Sequence, residues 1–223
     1  MLHTKKETKD DKTIDFHLAN SKNLLLIFTR NPELGKCKTR LAAKVGNLAA
    51  LDIYKFLLDH TVKITQNLFA KKIVYYSEEI WENDIWNNTF FEKRQQKGTD
   101  LGKRMENAFI DGFERGFEKI IIIGSDMFDL DQNDLEKAFS ALNQNDFVMG
   151  PAQDGGYYLL GMKKMKSELF KNKDWGSETV LENTLGDLAN EKFALLEERN
   201  DIDHYEDIQN NPGFEPFLKH MQA

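Results

Sequence analysis

A single cysteine, Cys37, in 223 residues excludes an internal disulfide framework and any cysteine-rich metal site. No apolar run approaches the roughly 20 residues that span a bilayer. The opening stretch, MLHTKKETKDDKTIDFHLANSK, lacks the apolar core of a secretory signal, so a cytoplasmic location is expected. The five histidines are scattered and form no H-E-x-x-H, no G-x-G-x-x-G follows an apolar run, and G-x-S-x-G is missing. Excess positive charge is missing too. The net charge of −7 argues against nucleic-acid or anionic-membrane partners, though a small basic pocket remains compatible with it. What is present, 40% hydrophobic and 11% aromatic residues, is the composition of a globular chain.

Residues 1–21 are polar and aperiodic, and are expected to form a mobile tail before a single domain over 22–223. Asn23–Thr29 (NLLLIFT) is a continuous apolar run of the kind found in buried parallel strands. Helix is expected from about Thr39 to Phe69 with a break near Gly46, then strand at Lys72–Ser77 and helix at Asp100–Phe117. Lys119–Gly124 (KIIIIG) is the clearest buried strand, and Asp131 is placed to cap a helix reaching Asn143. Strands at Asp146–Met149, Gly156–Met162 and Phe193–Leu196 enclose a helix at Ser177–Leu188. This alternation predicts an α/β fold of three layers, α/β/α, around a mostly parallel sheet. Ligands of such sheets sit beyond the carboxyl ends of the strands, which points to the loops after Thr29, Ser77, Gly124 and Met149.

Four stretches in those loops carry chemistry. Arg30–Thr39 (RNPELGKCKT) fails as a P-loop, because Arg30 stands at the first glycine and Cys37 follows the lysine. The cations Lys36, Lys38 and Arg40 of the overlapping run Gly35–Arg40 nonetheless crowd a helix start, where they oppose the macrodipole unless an anion binds there. The strand ending in Gly124-Ser125-Asp126 leaves a carboxylate at its carboxyl end. There a divalent ion is favoured over a simple helix cap. Gly150–Gly161 (GPAQDGGYYLLG) sets Asp154 and paired glycines before a strand, readable either as a ligand loop or as an Asp-Gly hairpin. In Asn200–Ile208 (NDIDHYEDI), Asp201 and Asp203 alternate, so only one can serve a given site, and by chemistry alone both read as surface acids.

Together and in this order, these stretches resemble bacterial glycosyltransferases of the arsenosugar-biosynthesis type, with the GT-A (Rossmann-like) nucleotide-diphospho-sugar transferase fold. The molybdenum-cofactor and phospholactate guanylyltransferases are more distantly similar. The resemblance rests on Phe28–Pro32, Leu34–Leu41, Gly98–Gly102 with Arg104-Met105, Ile123–Asp126, Gly150–Ala152, Asp154–Tyr158, Trp175 with Ser177, and the Asp201–Asp203…Glu206-Asp207 tail. Met127-Phe128 stand where the family usually has Cys-Pro, and His204-Tyr205 where it has Thr-Pro. The resemblance implies nucleotide binding by Thr29, Arg30, Lys38, Arg40, Gly98, Leu101 and Arg104. It implies Mg²⁺ or Mn²⁺ on Asp126, helped by Asp203, and substrate contacts from Gly155, Gly156, Tyr157 and Trp175, with Asp126 and Asp154 catalytic. The expected activity is metal-dependent glycosyl transfer from a nucleoside-diphosphate sugar to a small acceptor. Nucleotidyl transfer, or nucleotide binding without catalysis, is the alternative.

Overall fold

The computed structural model describes residues 21–221. Almost all of the segment expected as a tail lies outside the described residues. Its last member, Ser21, is buried, and the Ser21 Oγ accepts the Asn23 N–H at 3.2 Å.

The strands are β1 (Asn23–Thr29), β2 (Lys71–Tyr76), β3 (Glu92–Gln95), β4 (Lys119–Ile123), β5 (Phe147–Pro151), β6 (Tyr157–Met162) and β7 (Phe193–Leu195). They form one sheet in the order β3-β2-β1-β4-β6-β5-β7. Only β6 runs antiparallel to its neighbours; the other pairings are parallel. The helices are α1 (Thr39–Val45), α2 (Asn47–Thr65), α3 (Leu101–Glu114), α4 (Gln132–Ala141), α5 (Val180–Asp187) and the short α6 (Glu215–Leu218).

The unbroken apolar character of β1 has a direct cause. Leu25 and Ile27 pack on one face against Tyr54 and Leu58 of α2 and Leu135 and Phe139 of α4. Leu24 and Leu26 pack on the other against Met105 and Phe109 of α3. The mostly parallel, three-layer arrangement is therefore the expected one. A third apolar cluster seats Ile202, Ile208, Phe214 and Leu218 against α1 and α2, which folds the acidic tail back to the strand ends. There the Ile202 N–H donates to the Asp126 carbonyl at 3.3 Å.

Gly46 separates α1 from α2 with φ +85°, a conformation that favours glycine. Asp131 caps α4 reciprocally with Asp134. The sequence pattern misses β3, an edge strand reading Glu-Lys-Arg-Gln. Its Glu92 and Arg94 pair with Arg115 and Asp111 instead of packing on apolar surface. The helix expected from Ser177 begins at Val180, because the Ser177 and Thr179 hydroxyls bond each other at 2.8 Å in the preceding turn. The Asp-Gly stretch is a hairpin between β5 and β6, with Asp154 Oδ1 accepting the Gly156 N–H at 2.8 Å.

Both departures from the family pattern are absorbed by packing. Met127 is buried in the core, and Phe128 joins an aromatic cluster with Phe56, Phe214 and His60. His204 caps a short 3-10 turn with Asp207, and the Tyr205 ring lies under the Lys44 ammonium. No helix among the described residues is long and apolar enough to cross a membrane.

Candidate active site

From β1 the chain passes to β2 on one side and later to β4 on the other, so the strand order reverses at β1. Two cavities adjoin at the carboxyl ends of these strands and share Phe28 and Leu101 as walls. The first, about 430 Å³, is lined by Thr29, Arg30, Asn31, Ser77, Gln96 and Arg104. The second, about 240 Å³, is mainly apolar, with Tyr157 and Trp175 on its wall and the carboxylates Asp126, Asp154 and Asp201 beside them.

Buried hydroxyls hold the two loops together. Ser125 Oγ lies 3.1 Å from Thr29 Oγ1 and 3.2 Å from Tyr54 Oη, and the Arg30 N–H donates to Tyr54 Oη at 2.9 Å. Asn31 ties the β1 loop to the β2 loop, donating to the Glu79 carbonyl at 2.8 Å. Gln96 Nε2 donates to the Tyr75 carbonyl at 3.0 Å, while its Oε1 accepts from Arg104 at 3.4 Å. Gly98 lies against the start of α3, where a Cβ would come within 2.7 Å of the Arg104 nitrogen.

Asp126 Oδ2 accepts from Lys38 Nζ at 2.9 Å, and the same ammonium reaches Asp203 Oδ1 at 3.4 Å. Arg40 holds Asp203 Oδ2 at 2.9 Å, so both Asp203 oxygens face cations. Burial works to raise the Asp126 carboxyl, but Lys38 prevails and holds it below the ordinary carboxylate range. Among the described residues Asp201 has no ion-pair partner of its own. Burial, then the nearby Asp126, Asp154 and Asp203 charges, push its carboxyl up to about 6 despite Lys38. No three His, Cys, Asp or Glu side chains converge as a metal cage among the described residues. A cation here would take at most two carboxylates and complete its shell with water or ligand oxygens, a habit of Mg²⁺.

Gly155 (φ +84°) packs so tightly on the loop before α5 that a Cβ would lie 2.2 Å from the Glu178 carbonyl oxygen. Trp175 rests over Gly102, where a Cβ would lie 2.6 Å from the indole. Among the described residues the Tyr157 hydroxyl has only the Met105 sulfur as partner, at 3.9 Å, and burial drives its pKa well above the usual phenol value.

A family profile described as "Uncharacterized protein conserved in bacteria (DUF2064)" matches residues 61–177, just over half of the chain. The chain belongs to this family. Among solved structures it is similar to a provisionally assigned nucleotide-diphospho-sugar transferase from Desulfovibrio desulfuricans G20. That match has 28% identity and a TM-score of 0.80, and covers 91% of this chain and 96% of the other. A cytidylyltransferase from Leptospira borgpetersenii serovar Hardjo-bovis shares the fold at 16% identity and TM-score 0.52, covering 84% of each chain. A 4-diphosphocytidyl-2C-methyl-D-erythritol synthase from Anaerococcus prevotii does so at 9% and 0.54, covering 93% of this chain and 99% of the other. No protein of curated function matches.

The family segment ends at Ser177, so it includes Asp126, Asp154, Tyr157 and Trp175 and leaves out the first loop and the acidic tail. The structure brings Thr29, Arg30, Leu101 and Arg104 to the first cavity, and Asp126, Asp154, Gly156, Tyr157 and Trp175 to the second. Lys38, Arg40 and Asp203 form an ion cluster beside Asp126 and line neither cavity. Sequence reasoning missed Tyr54, Gln96 and the cavity-facing Asp201. For Asp201 the signal existed as alternation, but the choice of face did not.

Proposed function

We propose that this protein is a transferase that takes a glycosyl group from a nucleoside-diphosphate sugar to a small acceptor. The observation that carries the reading is the pair of adjoining cavities at the strand-order reversal, one polar and one aromatic, with Asp126 on the wall of the aromatic one. The likeness to the D. desulfuricans protein over nearly the whole chain supports the same class. The polar cavity takes the nucleotide, with Arg30 and Arg104 supplying positive charge. The aromatic cavity takes the sugar and acceptor, with Trp175 and Tyr157 along its wall and Asp154 accepting the proton of the attacking hydroxyl.

Asp126 and Asp201 suit Mg²⁺ or Mn²⁺, because they line one cavity and Asp201 is a crowded, half-buried carboxylate without an ion-pair partner among the described residues. Asp203, committed to Lys38 and Arg40, suits one less well. When bound there, such an ion neutralises charge developing on the leaving diphosphate.

Binding tests the reading. A nucleoside diphosphate at 100 times its Kd is expected to stabilise the protein by about 2.7 kcal/mol in a thermal-shift assay. Indifference to every nucleotide and nucleotide sugar, with and without divalent ion, contradicts it. Arg104→Ala is expected to weaken nucleotide binding by about 1.5–3 kcal/mol, measured by titration calorimetry. Asp154→Asn is expected to slow transfer by about 10²–10⁴-fold with nucleotide affinity unchanged. Loss of nucleotide affinity in that variant would instead place Asp154 on the donor side.

A further inference from the structure

Lys38 is one of two non-glycine residues with positive φ among the described residues, at φ 49° and ψ 46°. Such a backbone persists where its surroundings hold it. Here the holders are the carboxylates of Asp126 and Asp203, with the Lys38 side chain only 5% exposed. Arg40 fixes the far oxygen of Asp203. On Asp126 the two oxygens differ. Oδ1 folds back over Gly124, 2.8 Å from where a Cβ would stand, while Oδ2 carries the ammonium. A divalent ion on the same carboxylate would meet that ammonium at close range, and like charges in a partly desolvated site repel strongly.

We propose that the Lys38 ammonium is a resident cation that occupies Asp126 in the free protein and excludes a divalent ion until a nucleotide's phosphates draw it away. The inference rests on the nucleotide-and-metal reading of this site. It makes metal binding conditional on nucleotide, and by linkage the metal tightens nucleotide binding by the same factor. Asp201, on the wall of the same cavity as Asp126, is the second carboxylate that the arriving ion finds. Lys38 thereby serves the ligand-free protein as counter-ion and the loaded protein as phosphate ligand.

The test is direct Mn²⁺ binding to the nucleotide-free protein, followed by electron paramagnetic resonance. Lys38→Met keeps the apolar stem and removes the ammonium. It is expected to bind Mn²⁺ at least about tenfold more tightly than the wild type. Mn²⁺ at about 100 times its Kd for the variant should raise the variant's Tm by about 5–10 °C and the wild type's by clearly less. Adding a nucleoside diphosphate should tighten Mn²⁺ binding more in the wild type than in the variant. If Lys38→Met does not fold, Lys38→Gly, which suits the positive φ, carries the same measurement. Mn²⁺ affinity in the ammonium-free variant equal to or below that of the wild type overturns the proposal. A failure of the nucleotide reading shows separately, as absence of nucleotide binding to the wild type.

Discussion

Asp126→Asn is expected to lower divalent-dependent turnover by at least about 10²–10³-fold while leaving the sheet folded. The substitution preserves shape and removes a charge from the wall of the aromatic cavity, at the end of β4, where the leaving diphosphate would gather negative charge. The fold tolerates it because Lys38 keeps Asp203 as a partner at 3.4 Å, so the ammonium is not abandoned in the interior. The backbone tie from the Ile202 N–H to the Asp126 carbonyl is also untouched. A stability loss of about 1–3 kcal/mol is expected from the weakened ion pair and is measured by urea unfolding. A fully active variant would remove Asp126 from the reaction.

The largest expected effect on stability lies elsewhere, at Asp134. Its carboxylate meets Arg199 Nη2 at 2.6 Å, with the two side chains only 10% and 18% exposed. It also closes the capping box at the start of α4. Arg199 donates in addition to the Asp129 carbonyl at 2.7 Å, and its backbone pairs with the chain after β5. Asp134→Ala therefore takes the closest carboxylate from a largely buried guanidinium, leaving it the Asp129 carbonyl and carboxylates at 3.8 and 3.9 Å, and removes the reciprocal half of the capping box. The expected cost is about 3–5 kcal/mol, or roughly 6–20 °C in Tm by calorimetry. Burial works to raise the Asp134 carboxyl, but the Asp131 N–H and the Arg199 charge prevail and hold it below its ordinary range. A depressed carboxyl contributes stability that is present above the unfolded value near 4 and lost as pH falls through the folded value. The wild type should thus lose stability on acidification below about pH 4, and Asp134→Ala should show a shallower acid limb. Parallel pH profiles would deny the pair this role.

The strands that frame the crevice were legible because they are buried on both faces. Leu24–Ile27 and Ile120–Ile123 leave no polar position to confuse the pattern. Gly46 and Asp131 were legible as punctuation, since each meets a backbone requirement that few residues satisfy. The edge strand Glu92–Gln95 was not, because salt bridges to α3 and Arg115 replace the apolar alternation that marks a strand. The reversed direction of β6 was carried only by the hairpin reading of the Asp-Gly stretch, as burial patterns carry no sense of direction. At the candidate site, the loops at the strand ends were found by position, and the residues in them by type. Which of Asp201 and Asp203 faces the cavity depends on how Ile202 seats among α1, α2 and the C-terminal turns, a long-range packing choice with no local signature. Tyr54 falls within the helix expected over Thr39–Phe69, and nothing local singles it out. Its hydroxyl becomes structural for the site only because β1 and β4 bring Thr29 and Ser125 to it.

The most direct measurement is ³¹P NMR of the protein with nucleoside-diphosphate sugars and Mn²⁺, where water serves as a slow acceptor when no better one is present. Glycosyl transfer predicts that free nucleoside diphosphate accumulates, that Asp126→Asn abolishes it, and that nucleoside triphosphates with sugar phosphates yield no pyrophosphate. Pyrophosphate released from a triphosphate, with nucleotide sugars left intact, would contradict glycosyl transfer and make the protein a nucleotidyltransferase.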